Sequence, residues 1–409
     1  MNRWMMVPAF FFVLIMVGTA VGATIVVPTH YATIQEAIDV AVAGDEIHVV
    51  AGTYPENLDF AGKAITIKSE SGAGVTVIDG GQIGSCVLFA NGEGSDSVLE
   101  GFTLTNGIGT FAPPPFDDLC GGAIFCDGTS PTIRDNIMEN NSAEYGGAVC
   151  FSDSDDALLE ANTIRNNSAK IGGALIMRYS TPAVVRNRIS ANEASFGGGG
   201  IALWLFSHAE LANNIIDNNT AGSGGGGGIR SYHQSEPNIT NCTIADNYSS
   251  SGGGGLYCHN SYAIVTNSIF WNNDGLIGRE IRLGHTVNPS SLTISWTDVK
   301  GGFASFHAQK GSTHFWLNGI INEDPLFVGS GDYHLTASSP CIDSGRGAAH
   351  NLPAVDIDGE SRFGGAGRLR WARIDMGADE YITQPGDGWS SPGVGLDGGS
   401  KNRPGTPRR

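Results

Sequence analysis

The sequence is poor in charge, and poorer still in positive charge: charged residues make up 16% of the 409, with 23 Lys and Arg against 41 Asp and Glu, for a net charge of −18. Binding to nucleic acid or anionic lipid rests on neutralising phosphates with cations, so the composition speaks against both as partners. An acidic polysaccharide would need local Arg clusters or bridging Ca²⁺. Seven cysteines cannot all pair within one chain, and their spacing matches neither a zinc knuckle nor a dense disulfide framework. Past residue 23 there is no run apolar enough to span a bilayer. Past residue 44 there is no 3.6-residue apolar period, which excludes solenoids with helices in every repeat.

Residues 1–23 read as a secretory signal peptide, with Arg3 as the basic start, an apolar run from Val7 to Val17, and small residues at Val21-Gly22-Ala23. The run is short for a membrane anchor. The mature chain is therefore expected to be secreted, extracellular or at the cell surface, with no membrane span after cleavage.

What the sequence has in abundance is glycine, 59 residues of it, and the glycines recur. One pattern (Asn, any residue, an apolar residue, two more, Asn) appears as Asn136-Met138-Asn141, Asn162-Ile164-Asn167, Asn187-Ile189-Asn192, Asn214-Ile216-Asn219, Cys242-Ile244-Asn247 and Asn267-Ile269-Asn272. Successive copies lie 25 to 28 residues apart. Between them a glycine cluster precedes an aliphatic residue, as in Gly146-Gly147-Ala148-Val149 and Gly172-Gly173-Ala174-Leu175. A period of this length, with short β-rich runs and Gly or Asn at the bends, suits one coil of a parallel β-helix. Asn tolerates the left-handed backbone of a sharp bend, and stacked Asn amides bond from coil to coil. The aliphatic position between the asparagines would pile into a continuous apolar column.

The ends of such a solenoid expose strand edges and need covers. Residues 33–44 suit that role: Thr33 and Glu36 form a capping box, Ile34, Ala37, Ile38, Ala41 and Val42 make one stripe, and Gly44 stops the helix. Strand-like segments follow at 47–50, 65–67, 75–78 and 87–89. Residues 107–120, with Pro113-Pro114-Pro115 and Asp117-Asp118, break the period and are expected to project as a loop. The domain division is thus a signal peptide (1–23), a β-helix domain (24–382) and a disordered Gly/Pro/Arg tail (383–409).

The segments Thr33-Ile34-Gln35-Glu36-Ala37-Ile38, Gly44-Asp45-Glu46-Ile47 and Gly52-Thr53-Tyr54-Pro55-Glu56-Asn57 resemble the N-terminal signature of secreted bacterial proteins of the pectin-lyase-like right-handed β-helix superfamily. The Gly-Gly-Ala-aliphatic units, with Phe270-Trp271-Asn272-Asn273, look like polymorphic outer-membrane-protein repeats. Asn322-Glu323-Asp324-Pro325-Leu326-Phe327, Gly331-Asp332-Tyr333-His334-Leu335, Ser339-Pro340-Cys341-Ile342-Asp343 and Asp375-Met376-Gly377-Ala378-Asp379-Glu380-Tyr381 are similar to the closing segment of choice-of-anchor β-helix proteins. The resemblance implies an all-β, single-stranded right-handed parallel β-helix with a short N-terminal capping helix. It implies a fold and a location more than a reaction. The paired-aspartate and Gly-His-Gly segments of polygalacturonases and the Asp-Phe-Ile-Phe-Gly segment of the methylesterases have no counterpart here, and no C-terminal segment resembles a translocating β-barrel.

Strand residues alternate faces. With the first aliphatic residue after each glycine cluster inward, Cys126, Phe151, Met177, Leu203, Ser231 and Cys258 also point in. Outward columns then hold Phe125, Cys150, Ile176, Ala202, Arg230 and Tyr257, beside Asp127, Ser152, Arg178, Trp204, Tyr232 and His259. Arg178, Trp204, Arg230, Tyr232, Tyr257 and His259 form a candidate face, either for stacking and bidentate bonding to a carboxylated glycan or as a plain aromatic ladder. Two functions stay open. One is a surface scaffold binding a polysaccharide or a cell-surface protein. The other is a polyuronate lyase with Arg178 or Arg230 as base, whose nearest carboxylates would be Asp127, Asp153, Asp155 and Asp156. No cofactor is called for; Asp356, Asp358 and Glu360 have the spacing of a small Ca²⁺ loop, with a plain Asp-Gly turn as the simpler account. Cys126 and Cys150 should face opposite ways and stay unbridged, while Cys242 and Cys258 are the candidate disulfide.

Overall fold

In a computed structural model, residues 22–114, 117–285, 288–349, 352–363 and 373–382 are described. They form a right-handed parallel β-helix of about 11 turns. Each full coil visits four sheets of 12, 10, 10 and 8 strands among the described residues. One coil makes the path plain. Ile124–Asp127 runs in the wall that follows the glycines, Thr132–Arg134 in the twelve-strand sheet, Ile137–Glu139 in the asparagine-flanked sheet, and Ser142–Tyr145 in the eight-strand sheet. The next coil repeats the path in register, Ile124 on Val149 and Met138 on Ile164.

The aliphatic residue between the asparagines fills the tube in every coil, as Met138, Ile164, Ile189, Ile216 and Ile244, all fully buried. So do both inward positions of the glycine-following wall, and the expected strands near 47, 67, 77 and 88 are present. The asparagines align above one another in two files. Asn136, Asn162, Asn187 and Asn214 form one; Asn141, Asn167, Asn192, Asn219, Asn247 and Asn273 form the other. Two expectations need correcting. The left-handed residue is the one before each stacked asparagine, as at Asn140, Asn166, Ala191 and Asn218, so the stacked residue bonds and its predecessor bends. The last copy is also shifted by one: Ser268 and Asn273 continue the files and Phe270 points inward, in place of Asn267, Asn272 and Ile269.

The glycine pairs divide their labour too. Gly146 adopts φ +66°, whereas a Cβ on Gly147 would lie 2.2 Å from the Gly173 carbonyl oxygen of the next coil. The same 2.2 Å clash would arise at Gly122 and Gly173, so the tight corner is a column in which only hydrogen fits.

The N-terminal cover is α1 (Ile34–Val40), with the Thr33–Glu36 capping box in place. Glu56 reinforces it, its carboxylate accepting from the Ile34 and Gln35 amides at 3.0 and 2.9 Å. The helix ends three residues earlier than Gly44 suggested, with Ala41 as extended C-cap, and Val42 is 65% exposed. Residues 107–120 do not leave the coil freely: Thr110–Phe111 and Leu119–Cys120 pair antiparallel and join the edge of the eight-strand sheet. Parallel pairing persists to Thr313–Trp316. The closing segment then folds back onto the outside of the asparagine-flanked sheet, where Tyr333 and Ala378 pack on Ile215 and Ala245 and Met376 packs by Ile269. Arg362, fully buried there, donates to Asn213 and pairs with Glu380 at 3.1 Å. The proposed signal peptide and tail lie outside the described residues, apart from Gly22 and Ala23. Among the described residues no helix is long and apolar enough to cross a membrane.

Candidate functional site

Alternation along a strand fixes which side of a sheet a residue takes, and the side expected for each column is the side observed. Being outside the tube, however, is not being exposed. Phe125, Cys150, Ile176 and Ala202 form a second apolar cluster with Cys120 and Tyr145, closed over by the eight-strand sheet and the 110–120 hairpin. Arg178 is 0% exposed, with Nη2 3.1 Å from Cys120 Sγ and its guanidinium 5.7 Å from the Tyr145 ring. Tyr257 is also buried, with Arg282 stacked 4.7 Å from its ring. These two leave the candidate face: the eight-strand sheet covers Arg178, and Arg282 and the Gly225 corner close over Tyr257.

The other four stay together. Trp204, Arg230, Tyr232 and His259 line a cleft of about 410 Å³ between the glycine-following wall and the eight-strand sheet, which contributes Tyr145, Lys170, Ile171 and Phe196. Tyr145 stacks on Trp204 at 5.6 Å with ring planes 12° apart. Arg230 lies between aromatic faces, its guanidinium carbon 4.7 Å from the Phe196 centroid and 5.0 Å from that of Tyr232. The Arg230 side chain is 6% exposed, and its Nε has no hydrogen-bond acceptor among the described residues. Burial lowers its pKa, yet an arginine stays charged. The lining contains Arg230 and Lys170 and no carboxylate.

His259 touches Tyr232 edge-on at 4.7 Å. Its Nε2 lies 3.2 Å from Nδ2 of Asn288, a pure donor, so Nε2 accepts and the proton sits on Nδ1. Burial, then His285, Arg230 and Arg282, push its pKa down to about 4, and the ring is neutral at neutral pH. The carboxylates of the lyase reading do not converge here. Asp127 is half-buried and pushed up by burial and Asp153, and none of Asp127, Asp153, Asp155 or Asp156 lines the cleft.

Sequence reasoning missed Tyr145, Lys170, Ile171 and Phe196. A signal existed: Tyr145, Ile171 and Phe196 each stand immediately before a glycine cluster, a recurring bulky residue that the corner swings over the wall.

The candidate disulfide is not formed. All seven cysteines are free and buried. Cys242 replaces an asparagine at a corner, its Sγ 3.3 Å from the Leu211 carbonyl, whereas Cys258 sits inside the glycine-following wall, so no bridge links them. Asp356, Asp358 and Glu360 do not converge on an ion. Asp356 Oδ1 accepts the amides of Asp358 and Glu360 at 3.0 and 2.8 Å, the Asp-Gly turn that was the simpler account. Cys126 and Cys150 are unbridged, as expected.

With this geometry in hand, the chain can be set beside known proteins. The family described as right-handed beta helix region matches residues 121–293, less than half of the chain. No curated protein matches. Among solved structures the chain is similar to a pectin methylesterase from carrot (11% identity, 75% of this chain and 85% of that one, TM-score 0.32). It is similar to the catalytic unit of a GH87 α-1,3-glucanase from Streptomyces thermodiastaticus strain HF3-3 (13%, 71% and 65%, TM-score 0.35). It is also similar to a polygalacturonase from Erwinia carotovora ssp. carotovora (12%, 74% and 96%, TM-score 0.30). At such values the likeness concerns the coil alone and carries nothing about chemistry.

Proposed function

We propose that the chain is a secreted or cell-surface scaffold whose cleft binds an acidic polysaccharide without cleaving it. The observation that carries this reading is Arg230: a buried guanidinium with an unpaired Nε, held between Phe196 and Tyr232, in a carboxylate-free cleft of a protein with net charge −18. A buried charge without an anionic partner is costly, and a ligand carboxylate would pair it through the Nη atoms, which unlike Nε are not sealed from the cleft. Trp204, Tyr232 and Phe196 offer flat apolar faces for pyranose rings beside it. The size of the cleft suits a few sugar rings.

The test is binding of polygalacturonate and alginate against a neutral glucan of equal length, for the native chain and Arg230→Met. Polyuronate should bind and neutral glucan should not, with Arg230→Met weakening binding at least about tenfold. Affinity should be flat from about pH 5 to 9, because His259 is already neutral, and fall below about pH 4 as the uronate protonates. Equal binding of neutral glucan, or an unaffected Arg230→Met, would overturn the reading. The alternative is a polyuronate lyase with Arg230 as base, which a guanidinium that stays charged does not favour. Absorbance of unsaturated uronate products, lost in Arg230→Met, would establish that alternative.

A further inference from the structure

The closing segment brings together three side chains from separate stretches of chain. His334 comes from the hairpin of Phe327–Gly329 and Asp332–Leu335, Asp358 from the turn after Asp356, and Asp379 from the stretch 373–382. One ligand-capable atom from each lies within 4.8 Å of the others. His334 Nε2 is 2.7 Å from Asp358 Oδ2.

From this geometry we propose that His334, Asp358 and Asp379 form a binding site for a divalent cation of the Zn²⁺ kind, which clips the closing segment together. Each ligand is already held by something other than the ion. The far ring nitrogen of His334, Nδ1, bonds to Asp332 Oδ1, the carboxylate–imidazole pairing that orients metal-binding histidines. The Asp358 amide donates to Asp356 Oδ1 at 3.0 Å, and Asp356 Oδ2 accepts the Glu380 amide at 3.0 Å. Asp356 thereby ties the turn carrying one ligand to the stretch carrying another. Asp379 is 6% exposed; its Oδ2 accepts the Leu335 amide at 2.7 Å, and its other oxygen takes no hydrogen bond from the described residues. That uncommitted oxygen is not sealed from solvent, so it stays open to an ion.

Charge argues the same way. Asp332, Asp358 and Asp379 surround one imidazole, and Arg188, which is near Asp332, is committed to Asp217 and the Gly331 carbonyl. The donor set decides the ion. One nitrogen and two carboxylates suit Zn²⁺ with a water completing a tetrahedron, whereas Ca²⁺ takes six to eight oxygens. Zn–N and Zn–O bonds of about 2.0–2.2 Å place tetrahedral ligand atoms roughly 3.3–3.6 Å apart. The set spans 2.7 Å to 4.8 Å, so side-chain adjustments of about an ångström close it. The ion would act beside the Asp-Gly turn whose spacing resembles a small Ca²⁺ loop, keeping Asp358 but replacing Asp356 and Glu360 by His334 and Asp379.

The experiment uses the full chain, freed of metal by chelator and titrated calorimetrically with ZnCl₂, with CaCl₂ and MgCl₂ as controls. One Zn²⁺ per chain should bind, raise the thermal midpoint and resist competition by Ca²⁺ or Mg²⁺. His334→Gln and Asp379→Asn should each abolish that site, and Asp332→Asn should weaken it about 10–100-fold while leaving its stoichiometry intact. Near-UV circular dichroism checks that each variant is folded; if Asp379→Asn is not, His334→Gln decides alone. The stacked pair His259 and His285, 4.9 Å apart, is the competing location, so His259→Gln is included and should change nothing. Absence of stoichiometric Zn²⁺ binding, or binding untouched by His334→Gln, overturns the proposal and leaves an ion pair only.

Discussion

The corner where asparagines stack and the wall that follows the glycines are both built from side chains recurring once per turn, but one is chemically complete and the other is not. At the corner, the Asn192 amide donates to Asn219 Oδ1, and Nδ2 lies within bonding distance of the Ile164 and Ser190 carbonyls and of Asn219 Oδ1. The Asn192 side-chain oxygen accepts from Asn167 twice. Nothing is left over for a ligand. On the wall, the outward column runs Phe125, Cys150, Ile176, Ala202 and then Arg230, where an apolar file gives way to a guanidinium whose Nε lacks an acceptor. Faithful repetition closes a polar file on itself; a break in a file leaves valence for something else.

The comparison is broken most forcefully at Asn192. Asn192→Ala orphans the buried Asn167 amide and takes one acceptor from Asn167 Nδ2, which keeps the Met138 and Arg165 carbonyls; an orphaned buried group costs about 1–3 kcal/mol. The expected loss is about 2–3 kcal/mol by urea unfolding, with polyuronate affinity unchanged. A loss under about 1 kcal/mol would mean the file is decorative and the contrast false.

The next largest effect tests the end of the same file. Asn273 Nδ2 donates to Glu280 Oε2 at 2.6 Å, and burial pushes the Glu280 carboxyl up to about 8. Its unfolded value is about 4.3, so between these pH values the native state holds the proton more tightly. Stability is then greatest below pH ~4, declines as pH rises to about 8, and is flat beyond. Glu280→Gln should remove that slope and stabilise the chain above pH 8 by on the order of 1–3 kcal/mol. An unchanged pH profile would show that Glu280 ionises without cost and that the file ends open.

Arg230 gives a smaller stability effect of opposite meaning. Arg230→Met, while weakening polyuronate binding, should leave stability unchanged or raise it by about 1 kcal/mol, because an unpaired buried charge is removed. A loss of several kcal/mol would make the stack of Phe196, Arg230 and Tyr232 structural.

The fold was legible because the coil turns sequence period into spatial file: the register of the glycine clusters alone sorted eighteen wall residues correctly between inside and outside. The candidate site was half legible. Alternation reports the side of a sheet and is silent about a second layer, so Arg178 looked like surface although the eight-strand sheet covers it, and Tyr257 although Arg282 and the Gly225 corner do. Phe196 and Lys170 escaped notice because they belong to a sheet whose apolar residues face the wall from outside the tube. The closing segment defied the period altogether. Its residues meet the coil across more than a hundred positions of sequence, as Asn213 meets Arg362, and no file announces such a contact.

The smallest expected effect separates the two roles that asparagine plays at each corner. Composition cannot tell them apart, because bending and stacking residues are often both asparagine, as in Asn166-Asn167, Asn218-Asn219 and Asn272-Asn273. Physics can. At Asn272, φ +59°, alanine would bear left-handed strain of about 1 kcal/mol and lose an exposed contact with Lys300 Nζ. Asn273→Ala would instead orphan the buried Asn247 amide and leave Asn247 Nδ2 with the Ile216 carbonyl alone. Urea unfolding of the two alanine variants should therefore show Asn272→Ala as the milder by at least about 1 kcal/mol. The reverse order would restore Asn267 and Asn272 as the stacked pair and shift the last full coil by one residue, turning Ile269 rather than Phe270 into the tube.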